Sequence, residues 1–144
     1  MAHIDTVHAV YTAFGRGDIT AIMNVLADDI DWDYAIADAG VPWLRPRTGH
    51  AGALDFFQSL SAVEFHKFEP KMLLANDNVV VALIDFAGVV KATGIEIHEE
   101  DEVHIWHFDE AGKVARFCHK LDSHQHWAAH TGVDARQPAD APSA

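Results

Sequence analysis

The sequence predicts an α+β protein in which three N-terminal helices pack on a cone-shaped, curved antiparallel sheet. Two observations support this prediction. Apolar residues recur at helical spacing over much of residues 3–60, whereas residues 64–122 alternate between apolar and polar side chains as strands do. A sheet that curls around helices leaves a concave interior, which is a natural site for a small ligand.

The three predicted helices each have an apolar stripe. The first, residues 3–14, is ended by two nearby glycines. The second begins at the N-cap residue Asp18 and closes at residues 27–29, and the third covers residues 50–60. Residues 37–49 are rich in glycine and proline and are predicted as a loop able to cover a pocket. The stripe of the first helix consists of Ile4, Val7, Tyr11 and Phe14.

Five strands are predicted from the alternation. In the first, residues 30–35, apolar and acidic residues alternate, which places Trp32 and Tyr34 on one face. The other four form an antiparallel meander. Its strands lie in residues 64–75, residues 79–90 and the hairpin of residues 95–122, whose turn is residues 109–112.

Length and charge restrict the domain organisation and the partners. At 144 residues with 49% hydrophobic content, the chain fits a single domain, predicted as residues 1–132. Residues 133–144 have no apolar period and are predicted to form a disordered tail. The 22 acidic residues outnumber the 10 Lys and Arg residues, and the net charge of -12 opposes binding to nucleic acid or to an anionic membrane.

Cysteine usage and hydropathy favour a cytoplasmic location. Cys118 is the only cysteine in the sequence, which excludes an internal disulfide and agrees with a reducing compartment. No apolar run reaches the roughly 18 residues that span a bilayer. Cys118 also alternates away from the apolar face of its strand, so we assign it no nucleophilic role.

Two histidines on neighbouring strands are the main candidates for chemistry. His104 shares a strand face with Trp106 and Phe108, and His119 shares one with Phe117. Neighbouring strands lie about 4.8 Å apart, so both imidazoles can reach one ligand. Burial should keep His104 neutral and ready to exchange a proton, although a core histidine bonded to a neighbouring residue is the structural alternative.

Aromatic side chains are predicted to form the wall of the pocket. Trp32, Trp106 and Phe117 are expected to contact the ligand, and the hydroxyl of Tyr34 would stabilise developing charge. His66 is included as a ligand contact because it alternates with Phe65. Ordinary core packing is the alternative for the tryptophans and for Tyr34.

The 11 histidines raise the question of a metal site. His98 and Glu100 have a spacing that places two ligands on one face of a strand, but no third ligand is predicted beside them. We therefore predict no metal and no cofactor. The acidic residues 99–102 are assigned to a solvated or bulged edge of the sheet.

Several motifs lie at turns and strand ends, namely Gly17-Asp18, Leu26-Ala27-Asp28-Asp29, Arg47-Thr48-Gly49 and Phe108-Asp109-Glu110-Ala111-Gly112-Lys113-Val114. They resemble those of the nuclear-transport-factor-2-like superfamily, whose fold is also called cystatin-like. Within it, the chain is similar to SnoaL-like and ketosteroid-isomerase-related proteins over about residues 4–130. The resemblance implies a homodimer formed through the open face of the sheet and cofactor-free chemistry in the cone.

The resemblance transfers few catalytic residues. The positions of the steroid isomerase base, tyrosine and protonated acid fall on Tyr34, Val10 and His104, so none of the three is kept. Asp33 and Tyr11 lie one place away, but a slip of one residue turns a strand side chain to the opposite face and swings a helical one by about 100 degrees.

SnoaL-like cyclases place an acid-base aspartate near the end of the last strand, and Asp122 matches that position. By simple alternation Asp122 lies off the pocket face. A turn aspartate that bonds backbone N–H groups is the alternative for this residue.

These predictions combine into one leading hypothesis. The protein binds a small, largely apolar, cyclic carbonyl or hydroxyl compound and carries out isomerisation, dehydration or cyclisation by acid-base chemistry. His104, His119, Asp122 and Tyr34 are the predicted catalytic residues. The alternative is a non-catalytic module that binds a ligand or a protein partner.

Overall fold

The computed structural model describes residues 2–133, which form helices gathered on one side of a single sheet. The helices are α1 His3–Gly15, α2 Ile19–Met23, α3 Gly49–Ser59 and α4 Ser123–Thr131, with a 3-10 helix at Leu60–Ala62. The strands are β1 Leu26–Trp32, β2 Arg47–Thr48, β3 Val63–Asn76, β4 Val79–Val90, β5 Ile95–Phe108 and β6 Val114–Lys120.

The six strands follow the order β2-β1-β6-β5-β4-β3 in one curved sheet. The pairs β3/β4, β4/β5 and β5/β6 are the predicted antiparallel meander, so the predicted α+β class and curved sheet are confirmed. One pair differs from the prediction. β1 runs parallel to β6, because the long path through β2, α3 and the meander brings the chain back beside β1 in the same direction.

The core lies between the helices and the concave face of the sheet. In β4 the even-numbered residues from Val80 to Val90 are buried and the odd-numbered ones are partly exposed, as the alternation predicts. From the helices, Val7 and Val10 of α1, Ile22 of α2 and Phe56 of α3 cover this face. The predicted concave interior is therefore present between the helices and the sheet.

Four elements differ from the prediction. α2 ends at Met23, before the predicted residues 27–29, and β2 lies within the predicted loop of residues 37–49. β1 begins at Leu26 and ends at Trp32, whereas the prediction placed the strand at residues 30–35. α4 was not predicted, because its sequence has no apolar period. Its capping residues did carry a signal, since Asp122 accepts a hydrogen bond from the N–H of Gln125 and Gly132 ends the helix with a φ of 98°.

A β-bulge in β5 corrects the prediction that the acidic residues 99–102 lie at the surface. Asp101 has a φ of 61°, and the β4/β5 register shifts between Ile84 and Phe86. The extra residue lets Glu99 and Glu102 both face the interior, where they are 9% and 6% exposed.

The bulge has a counterpart in β3, and an ion-pair cluster joins the two on the outer face. The β3/β4 register shifts between Pro70 and Met72, so that Lys71 is the extra residue of β3. The Lys71 ammonium lies 2.8 Å from a carboxylate oxygen of Asp85 and 2.7 Å from one of Asp101. The hydrogen bond to Lys71 holds the pKa of Asp85 below its usual range. Asp85 therefore faces away from the interior.

The end of β1 corrects the prediction for Asp33. This residue has a φ of 56°, and its N–H bonds the carbonyl of Phe117, 2.6 Å away. The left-handed backbone breaks the alternation, so Asp33 follows the buried Trp32 and is itself completely buried.

Gly88 is a site where the fold tolerates no side chain. A Cβ at this position would lie 2.7 Å from the Phe86 ring and 2.9 Å from the carbonyl oxygen of Glu64. Gly88→Ala is expected to lower the free energy of unfolding by about 1–3 kcal/mol, measured by urea denaturation.

Gly15→Ala is the matched control for Gly88→Ala, because a Cβ at Gly15 would meet nothing within 4 Å and Gly15 lies in a helix. It should leave stability unchanged or raise it by roughly 0.5–1 kcal/mol. Equal effects of the two substitutions would contradict this packing argument.

Two further sequence predictions concern the C-terminal tail and membrane-spanning segments. Apart from Val133, the predicted tail at residues 133–144 lies outside the described residues. Within residues 2–133, no helix is both long and apolar enough to cross a membrane.

Candidate functional site

A cavity lies between the helices and the concave face of the sheet. Aromatic side chains form most of its wall, including Trp32, Phe56, Phe68, Trp106 and Phe117. The centre of a water molecule can occupy a volume of about 80 Å³ within it. A single water needs about 10–15 Å³ by this measure, so the cavity has room for a small ring compound.

Five predicted site residues line this cavity. They are His104, His119, Trp32, Trp106 and Phe117. His104 and His119 are direct cross-strand partners, and their ring centroids lie 6.0 Å apart. Strand alternation brought these side chains together as expected, while their roles remain predictions.

Tyr34 is not in the cavity, which corrects its predicted place. Its hydroxyl lies 2.7 Å from Nε2 of His107, which faces the outer side of the sheet because it alternates with the buried Trp106. The guanidinium of Arg116 lies over the Tyr34 ring at 3.7 Å. The left-handed backbone at Asp33 is the cause, since it breaks the alternation that placed Tyr34 beside Trp32.

His66 and Asp122 also lie outside the cavity. His66 is the extra residue where the β3/β4 register shifts between Phe65 and Lys67, and its ring is exposed beside Glu64. Asp122 is the N-cap of α4, which is the structural alternative noted for it. Neither side chain lines the cavity.

His119 forms a buried pair with Asp33. Its Nδ1 lies 2.6 Å from Oδ1 of Asp33, and its backbone N–H donates to the same oxygen over 3.0 Å. An ionised carboxylate only accepts, so Nδ1 carries the hydrogen. No group within residues 2–133 hydrogen-bonds Nε2 of His119, which leaves that atom for a ligand.

Electrostatics favour a proton on His119. Burial lowers the pKa of the imidazole, but the hydrogen bond and charge of Asp33, together with the charges of Glu102 and Glu99, outweigh burial and raise the pKa. The imidazolium is therefore stabilised inside an apolar cavity. A histidine of this kind can take a proton from a ligand and return it.

His104 belongs to a second buried chain of hydrogen bonds. Its Nδ1 lies 2.7 Å from the hydroxyl of Tyr11, and its Nε2 lies 2.7 Å from Oε2 of Glu102. The indole N–H of Trp106 donates to the Tyr11 hydroxyl over 3.0 Å. Both ring nitrogens of His104 are engaged, so this histidine acts on a ligand only through Tyr11.

The charge states along this chain follow from burial. Burial lowers the pKa of His104 more than the hydrogen bond to Glu102 raises it, as the sequence predicted. For Glu102, burial raises the pKa, but the hydrogen bond and charge of His104 reverse the direction and leave it lowered. Burial raises the pKa of Tyr11. At neutral pH Tyr11 is therefore a phenol, His104 a neutral imidazole and Glu102 a carboxylate.

The model of the SnoaL-like domain family matches residues 7–117, which is most of the chain. The chain belongs to the SnoaL-like family. This confirms the resemblance that the turn motifs indicated, and it places His104 within the matched region and His119 just beyond its end.

Solved structures with a similar fold include three that cover most of this SnoaL-like chain. An NTF2-like protein from Burkholderia xenovorans LB400 has a TM-score of 0.77 at 26% identity, covering 88% of this chain and 94% of its own. An NTF2-like protein of unknown function from Burkholderia pseudomallei K96243 has a TM-score of 0.77 at 20% identity, covering 90% and 98%. A provisionally assigned polyketide cyclase from Xanthomonas campestris pv. campestris has a TM-score of 0.68 at 21% identity, covering 88% and 95%. None of the curated proteins matches the sequence.

Two residues of the site in this SnoaL-like protein were not among the predicted site residues. Tyr11 lines the cavity, and the apolar stripe of α1 was a signal for it, since Tyr11 shares that stripe with Val7 and Phe14. Asp33 pairs with His119 because of its left-handed backbone. No sequence pattern distinguishes Asp33 from an outward-facing strand aspartate.

A group of possible metal ligands lies beside the cavity, and two of its three members line the wall. Glu99, Glu102 and His126 are buried, and one ligand atom of each lies within 4.8 Å of the others. The indole N–H of Trp43 donates to Nδ1 of His126, so Nε2 carries the hydrogen and donates to Glu99 over 2.8 Å. A metal needs a free lone pair on nitrogen, and both nitrogens are already engaged. The arrangement fits a hydrogen-bonded network better than a metal site.

Proposed function

We propose that this SnoaL-like protein binds a small, largely apolar ring compound in its cavity and transfers a proton on it without a cofactor. The decisive observation is Nε2 of His119, an unbonded nitrogen at the wall of an apolar cavity, with Asp33 bonded to the opposite nitrogen. Isomerisation, dehydration and cyclisation all require such a proton transfer.

Each polar residue has a distinct part in this proposal. His119 removes a proton from the ligand and returns it to another atom, either a second carbon in an isomerisation or a leaving hydroxyl in a dehydration. Asp33 fixes the tautomer of His119 and stabilises the imidazolium that forms. Tyr11 positions the ligand, supported by Trp106 and His104.

A second candidate function is ligand binding without catalysis. The wall of the cavity is almost entirely apolar, which suits sequestration of an apolar compound as well as chemistry on it. The cyclase assigned to the Xanthomonas campestris neighbour supports the catalytic candidate only by analogy of fold, because its identity to this chain is 21%. A ligand that binds tightly and is recovered unchanged would favour sequestration.

The catalytic proposal is tested with 5-nitrobenzisoxazole, a small apolar probe of buried bases. A base removes the proton on the ring carbon, the N–O bond breaks, and a coloured cyanophenolate forms without a cofactor. The rate should exceed that in buffer and should rise with pH, because only neutral His119 accepts a proton. The midpoint should lie above 6.5, since the folded protein raises the pKa of His119.

Binding of the probe is measured in parallel by quenching of tryptophan fluorescence. A probe that binds without acceleration, or an acceleration that does not change with pH, would contradict the role given to His119. A rate that falls as the pH rises would contradict it as well.

The proposal extends to assembly as a homodimer through the open face of the sheet. Outward-facing side chains form two apolar rows across the strands, one through Leu74, Val81 and Ile105 and the other through Met72 and Leu83. Leu74 is 56% exposed and Met72 is 50% exposed. A second copy of the chain is the occupant we propose, because a continuous apolar face of this kind favours burial.

Leu74→Glu is expected to shift the protein from dimer to monomer at micromolar concentration, because the substitution brings an unpaired charge into the apolar interface. Sedimentation velocity measures the change against the 15.9 kDa chain mass. Leu54→Glu is the matched control, since Leu54 is 42% exposed but lies on α3. A wild-type protein that sediments as a monomer would disprove the assembly.

The same proposal covers location and other partners. We place the protein in the cytoplasm, where the buried thiol of Cys118 would stay reduced, and burial raises the pKa of that thiol. With a net charge of -12, neither nucleic acid nor an anionic membrane is a proposed partner.

A further inference from the structure

We infer that Tyr11 meets the ligand as a hydrogen-bond acceptor, so that the cavity selects a ring compound carrying a hydroxyl group over the corresponding ketone. The inference deepens the proposed function by naming a substrate class, and it rests on the part of that proposal which places the ligand in this cavity. The direction of the hydrogen bonds around Tyr11 supports it.

The direction of the hydrogen bonds that run from Trp106 to Glu102 is fixed at both ends. The indole N–H of Trp106 can only donate, and it donates to the Tyr11 oxygen over 3.0 Å. At the other end the Glu102 carboxylate can only accept, so Nε2 of His104 carries the hydrogen that joins them over 2.7 Å. Nδ1 of the neutral ring is then an acceptor.

The hydroxyl hydrogen of Tyr11 is therefore committed. It is donated to Nδ1 of His104 over 2.7 Å, while one lone pair of the oxygen accepts from Trp106. What Tyr11 retains for a ligand is a second lone pair, at a residue that lines the cavity. A ligand hydroxyl can donate to this lone pair, whereas a ketone oxygen would present one lone pair to another.

The charge states strengthen this assignment. Burial raises the pKa of Tyr11, which keeps the phenol protonated. Burial also lowers the pKa of His104, which keeps one ring nitrogen free of hydrogen, and the hydrogen bond from His104 helps keep Glu102 ionised. A reversed chain would need either a protonated Glu102 or a protonated His104.

The experiment compares 1-tetralol with 1-tetralone, two bicyclic compounds of nearly equal size that differ in the hydroxyl and carbonyl groups. Binding is measured by titration calorimetry at pH 7.5. The alcohol should bind roughly 5- to 30-fold more tightly, which corresponds to one added hydrogen bond and one avoided contact between acceptors. Equal affinity, or tighter binding of the ketone, would overturn the inference.

Two variants and one NMR spectrum test whether Tyr11 causes the preference for the alcohol. Tyr11→Phe should reduce it to less than twofold, whereas Tyr34→Phe, which removes a hydroxyl outside the cavity, should leave it unchanged. A preference that survives Tyr11→Phe would assign it to another group. Nitrogen NMR of the wild-type protein should show His104 with hydrogen on Nε2, and hydrogen on Nδ1 would overturn the inference even if Tyr11→Phe failed to fold.

The outcomes separate this inference from the proposed function. Preference for the alcohol without catalysis of the benzisoxazole reaction would support the inference and contradict the catalytic proposal. Catalysis without a preference for the alcohol would contradict the inference and support the catalytic proposal. Failure of both tetralin compounds to bind would overturn the inference and remove the ligand that the proposed function requires.

Discussion

His119→Gln is expected to lower the rate of the benzisoxazole reaction by about 10² to 10⁴, because positioned acid-base groups contribute factors of this size. Glutamine keeps a polar side chain in the same place but does not titrate near neutral pH. The rise of the rate with pH should therefore disappear together with the rate itself. Initial rates across pH 5–9 measure both effects.

Asp33→Asn provides the companion measurement. The amide can donate to Nδ1, which moves the hydrogen of His119 to Nε2 and removes the free lone pair. The rate should fall, and any remaining titration should have a lower midpoint, because the carboxylate that raises the pKa of His119 has been removed.

His66→Gln is the matched control for His119→Gln, since it makes the same substitution at an exposed histidine outside the cavity. It should leave the rate within twofold of wild type. If His119→Gln also stays within a few fold of wild type while the probe still binds, the acid-base role of His119 is wrong.

Glu99→Ala is expected to lower the free energy of unfolding by about 1–3 kcal/mol, which is the usual cost of leaving a buried hydrogen-bond donor without an acceptor. The Glu99 carboxylate accepts hydrogen bonds from the Nε2–H of His126 and from the backbone N–H of Asp122. Both donors would lose this acceptor, and the His126 side chain is buried. Urea denaturation followed by circular dichroism measures the loss.

The loss should be concentrated at α4, which Glu99 anchors to the sheet through Asp122 and His126. Hydrogen exchange of the amides of residues 123–131 should quicken more than that of β4. Glu100→Ala is the control, because Glu100 is the exposed neighbour of Glu99 and its loss should change stability by less than about 0.5 kcal/mol. A loss below about 1 kcal/mol in Glu99→Ala would mean that water replaces the carboxylate.

Much of the fold can be predicted from the sequence, because strand alternation is strong in β4 and in the two halves of β5. That alternation also brought His104, Trp106, Phe117 and His119 to one face. Alternation predicts the orientation of side chains where successive residues have regular extended backbone, because each side chain then points opposite to the one before it.

The errors arise at single residues where that condition fails. Asp33 and Asp101 have left-handed backbones, and each breaks the alternation for the residues around it. Aspartate is tolerated in this region more readily than most residues, but it occurs far more often in ordinary strands and loops, so the residue type gives no warning. The side-chain orientations of Asp33, Tyr34 and Glu99 depend on these two left-handed residues.

The extra residues Lys71 and Asp101 lie on either side of Asp85, so three neighbouring strands bend along one line across the sheet. The ammonium of Lys71 bonds Asp85 and Asp101 across this line on the outer face. Bulges increase the twist of a sheet, so the curvature around the cavity depends on both of them. Lys71 does not line the cavity, and we therefore expect a lysine outside the site to affect the room available to a ligand.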